Sequence, residues 1–222
     1  MEQDILTEKL LDKISEDHFS SSLDTPMHED AFALTDIQKI KIIAEHFRHI
    51  MHTLGLDLTD DSLKDTPLHV AKMYVKEVFS GLNPANKPEP ALFENKYRYN
   101  EMLIEKDITL YSYCEHHFVP IIGKVHVAYF SSNDKVIGLS KINRLVQYYA
   151  KRPQVQERLT NQIAKGLKEA LNTEHVAVIV DAVHLCVASR GIKDTNSSTI
   201  TAYYSGRFNE ESTKAEFLSL IK

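Results

Sequence analysis

Tryptophan is absent from this chain, and cysteine nearly so, with two in 222 residues. Two thiols are too few for a disulfide framework and fit a reducing compartment, which makes the cytoplasm the expected location. Glycine is also scarce, at seven residues, and they compose no glycine-rich phosphate loop. Gly81, Gly123, Gly138 and Gly191 stand alone, as turns or helix ends would use them. No stretch approaches the roughly 18 apolar residues of a membrane span. The N-terminus is acidic rather than basic, so no secretory signal is expected either. Internal repeats and low-complexity tracts are missing too.

What is present is an ordinary globular balance, 43% hydrophobic and 26% charged, enough to bury a full core without staples. The net charge of −5 is unevenly spread. Positions 1–37 hold ten acidic side chains against Lys9 and Lys13, while the remainder is net +3. The acidic head argues against a nucleic-acid surface, which needs concentrated positive charge. The mildly basic remainder permits a local anion site.

Ile5, Leu6, Leu10, Leu11 and Ile14 recur at helical spacing over 2–16. The S-S-S-L-D-T-P run at 20–26 reads as a linker that would leave the head partly mobile. A second helix is expected over 35–53, with Ile40, Ile43, Phe47, Ile50 and Met51 on one face and Gly55 as its stop. Thr66-Pro67 predicts the next start, a hydroxyl at the cap and proline in the first helical position. Ser80-Gly81 would end that helix, and the proline-bearing loop at 83–90 marks the natural internal boundary. Beyond it, β-branched and aromatic residues predict strands at 108–113, 119–128, 176–187 and 199–204. Helices opened near Ser140 and at Pro153 fall between them, and an amphipathic helix over 210–221 closes the chain. That order is α+β with a mainly antiparallel sheet.

Both cysteines have histidine neighbours. Cys114 precedes His116 and His117 in S-Y-C-E-H-H-F, and His184 lies two residues before Cys186 in V-H-L-C. Cys114 and His117 are spaced to clasp one ion from a single turn, and Cys186 could close the site from a distant element. Two thiolates and one imidazole suit Zn²⁺, and three protein ligands leave a position for water, as catalytic zinc sites do. The plainer alternative for Cys114 is a small buried hydrophobe. If 183–187 is a strand, His184 and Cys186 share a face, setting a free imidazole beside the metal to move protons. His116 or His184 could instead be the fourth ligand or a hydrogen-bonded core histidine. Glu115 is expected to point to solvent or a partner chain.

Anion handling falls to cations with nothing acidic beside them. Ser140-Lys141 at a helix start, with Arg144 one turn later, resembles an anion site in physical terms. Arg190, four residues beyond Cys186, could bring a charge to the same cleft. Gln156-Glu157 offers an amide and a carboxylate. A carboxylate accepts paired N–H groups from a guanine edge, though a glutamate at a helix N-terminus is also favoured by the dipole alone. Read from residues, this is a zinc-water hydrolase acting on a phosphorylated nucleotide.

The stretches Y-S-Y-C-E-H-H-F (111–118), G-L-S-K-I-N-R (138–144), R-P-Q-V-Q-E-R-L-T (152–160) and D-A-V-H-L-C-V-A-S-R-G (181–191) resemble those of the GTP cyclohydrolase I family in its bacterial form. T-P-L-H-V-A-K-M-Y at 66–74 agrees, and the likeness runs from about residue 30 to the C-terminus. The resemblance implies a tunnelling fold: N-terminal helices, then an antiparallel sheet with helices packed on one side. Division into an acidic helix and linker (1–33), a helical region (34–84) and a catalytic sheet domain (85–222) is expected. It further implies a toroidal homodecamer of two pentamers with active sites between subunits. Cys114, His117 and Cys186 would bind one Zn²⁺ per subunit, and His116 and His184 would be the acid–base pair. Glu157, aided by Gln156, would anchor guanine. Leu139, Ser140, Lys141, Arg144, Arg190 and Lys72 would hold ribose and triphosphate. His69 stands where the family usually has an arginine, which implies weaker or more pH-dependent substrate binding. The implied reaction is hydrolysis at C8 of GTP, release of formate and rearrangement to 7,8-dihydroneopterin triphosphate, the first step of folate and pterin synthesis.

Two rivals stand beside this. A non-catalytic zinc protein would fill all four ligand positions. A related tunnelling-fold enzyme on pterin or deazapurine substrates would keep the purine-anchoring glutamate but need not keep the thiol pair. The H-x-E and P-C-x-x-C arrangement of zinc deaminases is absent.

Overall fold

The computed structural model describes residues 22–131 and 134–222; the helix expected over 2–16 lies outside them. Helix α1, Asp36–Thr53, is capped by Thr35. The Thr35 hydroxyl accepts from the Gln38 N–H, and the Gln38 amide oxygen accepts from the Thr35 N–H at 2.8 Å, a reciprocal box that satisfies two orphan donors. Gly55 at φ +83° turns the chain out as expected. Helix α2, Thr66–Met73, starts one residue earlier than the cap assignment predicts. Asp65 is its N-cap and makes no side-chain cap bond, so Thr66 is already helical. A π-helical turn, Tyr74–Val78, extends it.

Short strand β1, Leu92–Glu94, pairs with β4, Lys135–Ile137, a two-stranded ribbon that the sequence pattern did not reveal. The main sheet contains β2 (Leu103–Cys114), β3 (Pro120–Tyr129), β5 (Pro153–Gln154), β6 (Val176–His184) and β7 (Thr199–Tyr204), in the order β5-β2-β3-β6-β7. All its pairings are antiparallel except the two-residue β2–β5 contact. Pro153 therefore belongs to an edge strand and does not open a helix, and the following helix begins only at Gln156. A proline lacks the N–H that an interior strand needs, and an edge tolerates it. Gly123 also departs from expectation. It sits inside β3 opposite Ala182, where a Cβ would fall on the Asp181 carbonyl oxygen.

Strand alternation divides the sheet into two faces. Val125, Val127 and Tyr129 of β3 and Val176, Val178 and Val180 of β6 meet helices α3 (Leu139–Ala150) and α4 (Gln156–Leu171). These helices contribute Ile142, Leu145, Val146, Leu159, Ile163 and Leu167, all buried. Helices α3 and α4 pack on this one side, giving a half-barrel sheet of tunnelling-fold type. The other face is split. Ala128, Ala177 and Ile179 are covered by Phe208 and by Phe217 of the C-terminal helix α6, Glu211–Leu220. Nearer the hairpin end that face carries Asp107, Lys124 and His126, with Asp107 at φ +58° in a β-bulge of β2. Bulges of this kind bend a strand and strengthen its twist.

Candidate metal centre and active site

The turn between β2 and β3 is short and closed on itself. Cys114 donates its N–H to Val119 O and accepts at its own carbonyl from Phe118 N–H, both at 2.9 Å. Phe118 takes φ +53° to complete the reversal. This puts Cys114 and His117 on one loop, Sγ to Nδ1 3.8 Å. The third member arrives through the sheet. Strand β3 pairs with β6 in a register that places Ile121 opposite His184, so the end of β6 lies beside the hairpin turn. The ligand atoms of Cys114, His117 and Cys186 then fall within 4.8 Å of one another and could hold a metal ion.

The strand expected over 176–187 stops at His184, and Leu185–Ala188 is one helical turn, α5. His184 and Cys186 consequently do not share a strand face. The run of β-branched residues suggested continuous strand, but the helical turn is what swings Cys186 toward Cys114. Burial pushes the Cys186 thiol up, and the neighbouring Cys114 thiol adds to the effect, as expected for two thiols facing each other.

His184 is held from another direction. Its Nε2 lies 2.8 Å from Gln156 Oε1. The Gln156 amide nitrogen faces three acceptors: Val180 O at 3.1 Å, Thr199 O at 2.7 Å and Thr201 Oγ1 at 3.2 Å. Thr160 gives its proton to Gln156 O, so Thr201 donates to Thr160 and keeps a lone pair for the amide. With its nitrogen committed, Gln156 offers His184 only an oxygen, and His184 must donate from Nε2. Burial holds the His184 imidazole below its ordinary range, against the pull of the Glu157 carboxylate. Above that lowered range Nδ1 is a free base.

Arg190 Nη1 lies 2.9 Å from His117 Nε2, so the charge expected near the cleft is in contact with the cluster. His116 Nδ1 is 4.0 Å from Cys114 Sγ. Glu115, expected at solvent or a partner chain, instead pairs within the chain with Arg158, whose side chain is 3% exposed. Nothing in the spacing announced that pair. Glu157 is exposed on the first turn of α4. Leu139, Ser140, Lys141 and Arg144 occupy the start of α3, where Arg144 lines a cavity of about 370 Å³ with Ser80, Asn86 and Lys151. His69 and Lys72 are exposed on α2. Neither group is part of the three-ligand cluster. The cavity beside the metal turn, about 410 Å³, is lined by Thr25, Met27, Glu115, His116 and Phe118 among others. A larger one of about 610 Å³ lies on α4, lined by Lys165, Lys168 and Tyr203 among others.

A half-barrel sheet bearing two thiols and an imidazole on its hairpin end defines a metal-binding protein of tunnelling-fold type. The GTP cyclohydrolase I family model matches residues 43–222. GTP cyclohydrolase 1 of Flavobacterium johnsoniae is 59% identical over 218 residues, covering 98% of this chain and 97% of that protein. The enzymes of Erwinia tasmaniensis and of Escherichia coli O1:K1 are each 51% identical over 201 residues, covering 90% of both chains. The chain belongs to the GTP cyclohydrolase I family. The Flavobacterium likeness also takes in most of the first thirty residues, which the motif comparison left outside. Among the described residues no helix is long and apolar enough to cross a membrane.

Proposed function

We propose that this protein is a zinc-dependent GTP cyclohydrolase I, converting GTP and water to formate and 7,8-dihydroneopterin triphosphate. The observation that carries the reading is the convergence of Cys114, His117 and Cys186 in a chain of this family. Two sulfurs and one imidazole nitrogen fit Zn²⁺, a borderline-soft ion that takes four ligands, and do not fit Mg²⁺ or Ca²⁺, which want oxygen. Bound there, zinc would supply Lewis-acid activation of water near neutral pH.

The chain's own residues do the rest. His184, fixed by Gln156, presents Nδ1 as a proton acceptor and later as a donor to a purine ring nitrogen. His116, on the metal turn, is the second proton-transfer group. Glu157 offers two carboxylate oxygens to the adjacent N–H donors of the guanine edge, which adenine lacks. Leu139, Ser140, Lys141, Arg144, Lys72 and His69 form the ribose and triphosphate wall. Arg190 joins them: if His117 held the ion through Nδ1, its proton would sit on Nε2, the bond from Arg190 would be given up, and the guanidinium would turn to an anion.

Lys72, Glu157 and the α3 start are exposed and spread over one chain. That supports active sites completed between subunits of a homodecamer, a dimer of pentamers. Strand β7 at one sheet edge, and at the other the length of β2 that the two-residue β5 leaves uncovered, would pair with neighbours around the ring. The test is incubation of zinc-loaded protein with GTP, followed by detection of formate and of a fluorescent pterin after oxidation. Both products are expected. A metal-replete oligomer that yields neither would overturn the assignment.

A further inference from the structure

The first turn of α4 touches both halves of the site. Gln156 reaches β6 and holds His184. Two residues on, Arg158 turns the other way, its Nη1 2.5 Å and Nη2 3.4 Å from the two carboxylate oxygens of Glu115. Its Nε donates to Ser22 O at 3.0 Å. Glu115 is the residue between Cys114 and His116, and its carboxylate lies 3.7 Å from His116 Nε2. The Glu115 N–H donates to Gln154 O at 3.0 Å. The metal turn is thus fastened twice, by main chain to β5 and by side chain to α4.

A buried ion pair is a poor source of stability, because desolvating both charges offsets most of the attraction, while a bidentate guanidinium–carboxylate pair fixes geometry well. Here it joins the 114–117 turn to the α4 start by side chains, beside the main-chain tie through β5. We propose that Arg158 is a positioning residue. Through Glu115 it sets the turn bearing Cys114, His116 and His117 in register with the helix that sets His184. The segment at 22–27, which accepts from Arg158 and lines the cavity beside His116, closes over this fastening.

The test compares Arg158→Met, Arg158→Lys and Glu115→Gln with the parent, and it rests on the GTP-hydrolysing reading for its kinetic arm alone. Partners one step removed from a metal site typically cost about 10–100-fold when replaced. A fall of that size is expected in kcat for Arg158→Met and Glu115→Gln, with KM for GTP unchanged. Arg158→Lys, which keeps the charge and one of the bonds, should recover part of the loss. The second arm needs no substrate. The visible absorption of cobalt-substituted protein should change in band position or intensity in Glu115→Gln and Arg158→Met. Where Arg158→Met does not fold, Glu115→Gln and Arg158→Lys carry the comparison. The double variant Arg158→Met/Glu115→Gln, with no lone buried charge, should regain thermal stability and keep the low kcat. Folded variants with parental kcat and superimposable cobalt spectra would overturn the proposal, as would recovery of kcat in the double variant. A parent that makes no formate would instead sink the reading of function and leave the cobalt comparison as the test of Arg158.

Discussion

Gln156 Oε1 and His184 Nε2, 2.8 Å apart, form a bond whose direction is dictated at the far end of the amide. Val180 O and Thr199 O claim the Gln156 nitrogen, so one glutamine specifies both the orientation and the tautomer of one histidine. Gln156→Glu would set a carboxylate against those two carbonyls and remove the amide N–H they accept from. The loss of that donor at the buried Val180 carbonyl costs about 1–3 kcal/mol. A lower thermal midpoint and a lower kcat are expected together, and parental stability by calorimetry would contradict the hydrogen-bond direction assigned here.

His184 is proposed to move protons and Cys186 to bind metal, and the two separate cleanly. His184→Ala should keep zinc and lose about 10²–10⁴-fold in kcat, the usual range for one acid–base group. Cys186→Ala should lose zinc. Metal content per chain decides it: zinc loss in His184→Ala would make His184 a ligand.

The sequence made the cluster legible because Cys114, His117 and Cys186 are the residue types that zinc selects, and only two cysteines compete for the role. The long helices and the antiparallel sheet were equally readable from apolar period. Other features were not. Pro153 reads as a helix opener by its φ, and only pairing with Tyr113 makes it an edge strand. The run through Val187 reads as continuous strand because β-branched residues report burial as well as strand, and the chain turns helical at Leu185. Arg158 and Glu115, 43 residues apart, have no periodic relation; their pairing is a product of tertiary contact.

At Gly123 the packing of β3 on β6 leaves no room for a Cβ. Adding a methyl in Gly123→Ala drives it into the Asp181 carbonyl and Ala182, an overpacking that cannot relax by rotating a side chain. A loss of about 1–3 kcal/mol or more is expected, read as a lower denaturation midpoint. The neighbouring turn and β6 end would shift with it, so zinc retention should weaken too. A variant as stable as the parent would contradict the register.

His126 gives stability a pH dependence. It is 8% exposed, accepts from the Asp107 N–H at 3.2 Å, and burial lowers its pKa despite the nearby Asp107 and Asp181 carboxylates; Lys124 and Lys106 oppose protonation as well. Lowered affinity for the proton in the fold means the unfolded chain binds more protons below the ordinary value of about 6.5. The His126 contribution is therefore complete above that value and is lost as pH falls toward the lowered pKa. His126→Gln should flatten this part of a denaturation-midpoint profile taken between about pH 5.5 and 7.5. An unchanged slope would assign the acid sensitivity elsewhere.

His69 supplies at most one charge-assisted bond, and only when protonated, where an arginine would supply a permanent fork. His69→Arg should lower KM for GTP by about tenfold, the equivalent of ~1.4 kcal/mol. An unchanged KM would remove His69 from the triphosphate wall.

The most direct measurement strips the metal with a chelator, restores zinc in steps, and follows formate released from GTP against zinc bound per chain. Formate production should vanish on stripping, return in proportion to zinc up to one ion per chain, and fail to return in Cys186→Ala. Formate released at the parental rate by stripped protein, or by Cys186→Ala, would contradict the metal cluster as the centre of the reaction.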